Sequence, residues 1–326
     1  FLAVPDPETD ADTVITYSYE DCYSTGNLQF QNGWLGQALA LQTMRLAHYG
    51  AETPRVTVVV REAAARADRF KRAYPQAERA CRLQFLELDA PEPDPASPVT
   101  SVFICLEDEA AALGYRERVR TWGRRHHCAA PPVFLRAGAE RTGGELADWD
   151  GQTYPFCPYR EACRPELLFG DRGDALARII HAYYRDTIAA QGRDLASTPA
   201  DQAWETLDES YRQASRHQAD HLPAKLAAID CRAVSDTAAE LFLFSPLEVE
   251  RLAGIEHVRW CADRYLDGWR FGPRRDNRRK LHPDLIPYRE LSEDLKDLDR
   301  FAVRLLPALL ARLARGLERD LLVGVA

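Results

Sequence analysis

The sequence predicts an α/β domain built on a parallel sheet, followed by a mainly helical domain. Three observations carry that expectation. Short β-branched runs alternate with helical stretches from Thr13 to about Ala137. One run, Val56 to Val60, is apolar almost throughout, as suits a strand covered on both faces. From Asp174 onward the apolar spacing is helical.

The elements follow in order. Residues 1–26 open with Pro5, Asp6, Pro7, Glu8, Asp10 and Asp12, the composition of a flexible lead-in. Within it Thr13 to Tyr17 reads as a short edge strand or hairpin. Residues 27–172 form the α/β domain. Its strands are Asn27–Phe30, Val56–Val60, Leu83–Leu88, Val102–Leu106 and Val133–Leu135, which closes the series. Leu39, Leu41, Met44 and Leu46 mark a helix over Gly36–Tyr49, and a second runs from Glu107 to Arg125. Glu107-Asp108-Glu109 reads as a helix start favoured by the macrodipole. Ala90–Pro98 and Gly138–Asp150 are loops. Residues 173–326 form the helical domain: Ala175–Ala190, Asp208–Ile229 interrupted at Pro223, Pro246–Asp267 and Glu293–Val323. Ser245, Pro246 and Glu248 occupy the cap, first and third positions of the third helix.

Bulk properties narrow the function. The chain has 326 residues and a net charge of −8. That charge argues against a general nucleic-acid binder, so nucleic acid is not an expected partner. The cations are uneven, however: Arg270, Arg274, Arg275, Arg278, Arg279 and Lys280 fall within one short stretch. Such a stretch is either a solvated loop or a pocket edge for a phosphorylated small molecule. The eight cysteines show no zinc-knuckle spacing, and His126-His127-Cys128 has no partner motif. No metal site is expected, and the thiols read as reduced, in a cytoplasmic setting. No run of 18 apolar residues is present. The first residue is Phe1 rather than Met, which leaves room for a membrane-embedded effector region or tether before it.

Gln31-Asn32-Gly33-Trp34-Leu35-Gly36 stands between a strand and a helix. Gly33 and Gly36 occupy the second and third glycine places of a dinucleotide fingerprint, and Gln31 the first. Asn32, Gly33 and Gly36 are therefore candidate nucleotide contacts. Arg61 follows the next strand, where an acid for ribose hydroxyls is expected, and favours a phosphate or other anion. Residues 27 to 136 resemble the Rossmann-like nucleotide-binding domains of potassium-conductance regulators, the RCK or TrkA-N type. That resemblance implies an NAD(H)- or ADP-ribose-like ligand and a homodimer or higher homo-oligomer. The competing reading is a scaffold that has lost its cofactor.

The C-terminal motifs are more specific. Ile255-Glu256-His257-Val258-Arg259-Trp260 precedes Gly268-Trp269-Arg270-Phe271-Gly272, then His282-Pro283-Asp284-Leu285-Ile286-Pro287-Tyr288, then Lys296-Asp297-Leu298-Asp299-Arg300. Over Leu252 to Leu310 this order resembles the ryanodine-receptor-repeat (RyR) domain of bacterial type. Aromatics among arginines can stack a flat ring and hold phosphates. His257, Trp260, Trp269, Arg270, Arg274, Lys280, His282, Tyr288 and Arg300 are the candidate ligand residues. For each tryptophan taken singly, a place in a small core is the plainer expectation. An internal repeat accompanies the motif. Trp204–Leu226 aligns with Tyr288–Leu310 through Leu207/Leu291, Glu209/Glu293, Arg216/Arg300, Leu222/Leu306 and Pro223/Pro307. His181 answers to His257. Two tandem RyR-like halves would enclose a cleft, and a ligand site is expected there.

No nucleophile elbow, zinc pair or phosphate loop occurs, so no catalytic residue is assigned. His217, Asp220 and His221 share a helical face and are expected as polar surface or interdomain contacts. The expectation is a regulatory sensor of a small nucleotide-derived ligand. The resemblance adds ion-channel regulation or anti-phage defence as its setting. An NAD(P)-dependent oxidoreductase or other nucleotide-using enzyme is the alternative.

Overall fold

A computed structural model describes residues 14–19, 33–50, 53–88, 99–106, 108–125, 131–136, 152–156, 174–190, 200–235 and 242–319. The chain divides into two compact units. One comprises residues 1–47, 52–164 and 264–283, the other 48–51, 165–263 and 284–326.

The first unit holds six parallel strands: β1 (Val14–Tyr19), β2 (Arg55–Val60), β3 (Arg82–Glu87), β4 (Ser101–Ile104), β5 (Val133–Arg136) and β6 (Thr153–Phe156). Their order is β3-β2-β1-β4-β5-β6. β1 pairs with both β2 and β4. The expected edge strand or hairpin is thus an interior strand, and residues 1–26 are not merely a lead-in. Ile15-Thr16-Tyr17-Ser18 alternates apolar and polar, as a one-faced strand does; pairing on both sides is decided by distant segments. The expected strand Asn27–Phe30 lies outside the described residues.

β2 is buried from Val56 onward, as its apolar run requires. Val102, Ile104, Val133 and Leu135 form a core with Leu106 and Ala112. β6 extends the sheet beyond the expected last strand. Pro155 hid it, and a proline is tolerated because β6 is an edge. Phe103, Phe134 and Tyr154 lie in register across β4, β5 and β6 with ring centroids 4.7 and 5.4 Å apart. Such stacked cross-strand pairs hold a sheet edge in register. The helices are α1 (Gly33–Leu46), α2 (Ala63–Ala73), α3 (Ala77–Ala80) and α4 (Glu109–Arg125). Asp108 accepts the Ala111 amide at 2.6 Å, so the expected helix start is met. Residues 264–283 add two short strands, β8 (Arg270–Phe271) and β9 (Leu281–His282).

The second unit contains α5 (Ala175–Ala190), α6 (Glu209–Asp220), α7 (Leu222–Ala227), β7 (Cys231–Val234), the larger part of α8 (Pro246–Leu266), a 3-10 turn at Tyr288–Glu290, α9 (Glu293–Arg304), α10 (Leu306–Ala311) and β10 (Gly316–Arg319). The expected capping box is present: the Ser245 amide donates to Glu248 at 2.6 Å, and the Glu248 amide to Ser245 Oγ at 3.3 Å. Two strands were not expected: β10 lies inside the expected helix Glu293–Val323, and β7 just after the expected end at Ile229. Asp230 and Ala314, both at φ 53°, end the helical runs and turn the chain into β7 and β10, which pair antiparallel. Leu222, Leu226, Leu252, Ala253, Val303, Leu306 and Leu310 fill the core. Among the described residues no helix is long and apolar enough to cross a membrane.

Candidate functional site

The internal repeat is visible in the bonds of the second unit. His181 Nε2 donates to the Gln202 carbonyl and His257 Nε2 to the Ile286 carbonyl, both at 2.8 Å. Each ring lies 5.9 Å from an aromatic partner, Trp204 and Tyr288 respectively. Arg216 grips Asp174 with two nitrogens and reaches Glu209 with a third. Arg300 does the same with Glu250 and Glu293, and adds Asp297. In the β7–β10 ladder Ala233 faces Leu317. Those two residues are equivalent by the same alignment, so a local twofold passes through the pair.

The two halves are not chemically alike where they meet. Ile180, Tyr183 and Leu309 belong to the apolar core or pack on it. Their repeat equivalents are Glu256, Arg259 and Lys225. Lys225 Nζ lies 2.5 Å from Glu256, and Arg259 Nη2 donates to the same carboxylate at 2.8 Å. All three are at most 5 % exposed. Burial pushes the Glu256 carboxyl up, but Arg259 and Lys225 outweigh it and hold it at about 2. Burial lowers Lys225, and Glu256 opposes that shift. Nearby, His217 Nδ1 hydrogen-bonds Asp263 at 2.8 Å. His221 donates Nε2–H to the His48 carbonyl at 2.9 Å. Burial, then the Lys225 and Arg259 charges, drive the His221 pKa well below the ordinary imidazole value. Of the two expectations, polar surface or interdomain contacts, the first fails for His217 and His221, which are buried; Asp220 alone of that trio is exposed. The expected cleft between the halves is filled by the protein's own ions.

The sequence candidates fall into three groups. His257, Trp260, Tyr288 and Arg300 lie in the second unit. His257 is buried, Tyr288 packs beside it, and Lys296 lies 5.7 Å over the Tyr288 ring. Trp260 is half-buried with its ring 5.6 Å from His257. Arg300 is committed to three carboxylates.

Trp269, Arg270, Arg274, Lys280 and His282 lie in the 264–283 segment. Trp269 is buried and donates Nε1–H to Asp267 at 2.9 Å, with His282 6.0 Å from its ring. It anchors the segment, as the plainer expectation had it. Lys280 donates to the Asp267 carbonyl and carboxylate. Arg270 and Arg274 are exposed.

Gly33, Gly36 and Arg61 belong to the first unit. α1 starts at Gly33, and Gly36 is buried in its first turn. Asn32 lies outside the described residues. Arg61 is exposed after β2. Sequence reasoning missed Glu87 at the end of β3, whose carboxylate accepts the amides of Glu62 and Ala63 at 3.1 and 2.7 Å. The start of α2 is thus already held by an anion from the chain itself.

Other chemistry is constrained too. Among the described residues no cluster of His, Cys, Asp and Glu could hold a metal ion. Cys81, Cys105, Cys231 and Cys261 are free thiols. Burial pushes Cys81 and Cys105 up to about 12, so neither is a thiolate at neutral pH.

Residues 246–313 match the family model of the RyR domain. The chain carries an RyR domain. No curated protein matches the chain. The RyR match runs from α8 to just beyond α10 and includes the 264–283 segment. The first repeat, α5 to β7, lies before it.

The RyR histidine has a testable charge state. His257 Nε2 faces the Ile286 carbonyl, and Nδ1 lies 3.2 Å from the Asp299 carboxylate. Two acceptors require two ring protons, hence an imidazolium. Burial opposes that charge, but hydrogen bonding to Asp299 and Cys261 outweighs it and raises the pKa to about 10. The folded value lies above the unfolded one. The pair therefore contributes fully below about pH 6.5, and its contribution is lost as pH rises toward 10. The thermal midpoint should fall by several degrees between pH 7 and pH 10, with a flatter profile in His257→Gln. Parallel profiles for the two proteins would contradict this assignment.

Proposed function

We propose that the protein is a regulatory sensor of a small nucleotide-derived ligand, bound at the carboxyl edge of the parallel sheet and relayed through the RyR domain. One observation carries the reading. Strand order reverses between β1 and β4, and α1 begins after β1 with Gly33 and Gly36 in its first turn. Open α/β sheets take ligands at such a switch point, and dinucleotides at the helix start that follows the first strand. The strand order is that of doubly wound Rossmann domains, which supports the RCK or TrkA-N kinship. With Glu87 already on the start of α2, this end favours hydroxyls such as those of a ribose over a second phosphate. NAD(H) and ADP-ribose meet that requirement.

In the same proposal the α5–β7 repeat is a diverged RyR copy, and the protein is a bacterial-type homodimer or higher homo-oligomer in the cytoplasm. It controls an effector, a membrane channel or an anti-phage partner. The ligand acts by binding one arrangement more tightly than another.

Thermal-shift titration of the whole chain with NAD(H), NADP(H) and ADP-ribose tests the ligand site. NAD(H) or ADP-ribose at a hundredfold excess over Kd should stabilise by about 2.7 kcal/mol. Gly33→Asp should keep the fold, because an acid suits a helix start, and should abolish the shift by occupying the phosphate position. No shift with any of these nucleotides, or a shift that survives Gly33→Asp, would sink the reading.

A further inference from the structure

The basic stretch of the RyR domain is a braced loop: β8 and β9 pair parallel, and only its tip, Asp276 to Leu281, closes as an antiparallel hairpin. The Trp269 amide donates to the Arg264 carbonyl, the Arg270 amide to Lys280 and the Gly272 amide to His282. Asp276 and Leu281 exchange both backbone bonds at 2.9 Å. The Asp276 carboxylate also accepts the Arg279 amide at 3.0 Å. At Gly272 an added Cβ would stand 2.9 Å from the Leu281 Cβ, so the two arms touch backbone to side chain. Lys280 takes a positive φ of 53°, a conformation that costs an L residue about 1 kcal/mol. It is held there by its bonds to Asp267. A solvated basic loop needs none of this bracing.

The charge on the loop is largely unanswered. Elsewhere in the RyR domain, Arg259 and Arg300 are paired with carboxylates. Among the described residues no carboxylate pairs with Arg270, Arg274 or Arg278, and all three are exposed. Among the described residues Arg275 bonds the Asn277 amide oxygen and no carboxylate. Arg279 is 3.9 Å from Asp276, the loop's single acid, with 76 % of its side chain exposed. Phe271 lies among these cations with 54 % of its surface in solvent.

We propose that the 268–282 loop docks a single-stranded nucleic acid through several consecutive phosphates, with a base stacked on Phe271. Six exposed cations on one braced loop exceed what one phosphate can engage, whereas a strand presents a row of them. An exposed ring beside a cationic track is the arrangement that binds single strands irrespective of sequence. The chain's net charge of −8 excludes broad non-specific binding by the rest of the surface and confines the strand to this loop. The proposal is independent of the sheet-edge ligand.

The test is fluorescence anisotropy of the full chain with labelled twelve-nucleotide oligo-uridine RNA and oligo-thymidine DNA, from 50 to 300 mM KCl. Binding should weaken with salt at a log–log slope of about −2 to −3, equivalent to three or four phosphates. Arg270→Gln/Arg274→Gln/Arg278→Gln should weaken binding at least tenfold and reduce the slope, with an unchanged thermal midpoint. Phe271→Ala should weaken it about fivefold or more and leave the slope unchanged. Preference for RNA over DNA, or the reverse, identifies the source of the strand. The proposal fails if neither strand binds, or if binding survives the triple substitution. It also fails if vesicles of phosphatidylcholine with phosphatidylserine bind through these arginines while the oligonucleotides do not, which would make the loop a membrane-surface contact. Gly33→Asp should leave strand binding intact, so this proposal and the nucleotide-sensor reading can fail separately.

Discussion

Glu256→Ala is expected to destabilise the second unit by about 3–5 kcal/mol, because it strands two buried cations, Lys225 and Arg259, in a site closed to water. That loss is a large part of the stability of an ordinary domain. The informative comparison replaces the whole cluster. The internal twofold supplies the sequence: Lys225→Leu, Glu256→Ile and Arg259→Tyr copy the residues found at Leu309, Ile180 and Tyr183. Each of those already packs in or against the apolar core. Removing a buried ionic group entirely is often neutral or stabilising. The triple variant should therefore recover most of what Glu256→Ala loses. Urea unfolding of wild type, single and triple variants measures both differences. A triple variant as unstable as the single one would mean that the charges have a further structural task beyond their own neutralisation.

Trp269→Ala is the second large effect, about 3–5 kcal/mol for a buried tryptophan truncated to alanine. The indole packs beside His282 and under Arg264, and its N–H is satisfied by Asp267. Its removal opens a cavity under the loop and frees the Asp267 carboxylate that also holds Lys280. Hydrogen exchange should show the amides of Arg270, Gly272 and Leu281 losing protection. Trp269→Phe should cost much less. Unchanged protection in Trp269→Ala would show that the braces around Asp276 hold the loop by themselves.

Much of the architecture was legible as pattern. The apolar run Val56–Val60 announced a strand buried on both faces, and Ser245-Pro246-Leu247-Glu248 announced the start of α8. Both are local signals, decided within a few residues. The ordered His, Gly-Trp and His-Pro motifs marked the RyR segment to within a few residues of the matched range. Their individual roles were not legible. Trp269 and Arg300 look like ligand residues in a linear reading, because an indole and a guanidinium suit a bound ring and a phosphate. Trp269 donates instead to Asp267, two residues back, and Arg300 to Glu250 fifty residues away as well as to nearby Glu293 and Asp297. β7 and β10 were invisible for a related reason. Four-residue strands at the ends of helical runs acquire their identity only by pairing with each other, as Arg232 does with Glu318, 86 residues away.

The amino-acid sequence by itself determined the alternation of strand and helix, the duplicated helical half and the RyR motif, because periodicity, capping and repeat identity are short-range properties. Only the tertiary structure decided that Val14–Tyr19 lies inside the sheet, that Glu87 closes the start of α2, and that Lys225, Glu256 and Arg259 neutralise one another in the interior. Each of those outcomes depends on a partner brought in from a distant segment. A charged or polar side chain reads as surface until the fold shows what faces it.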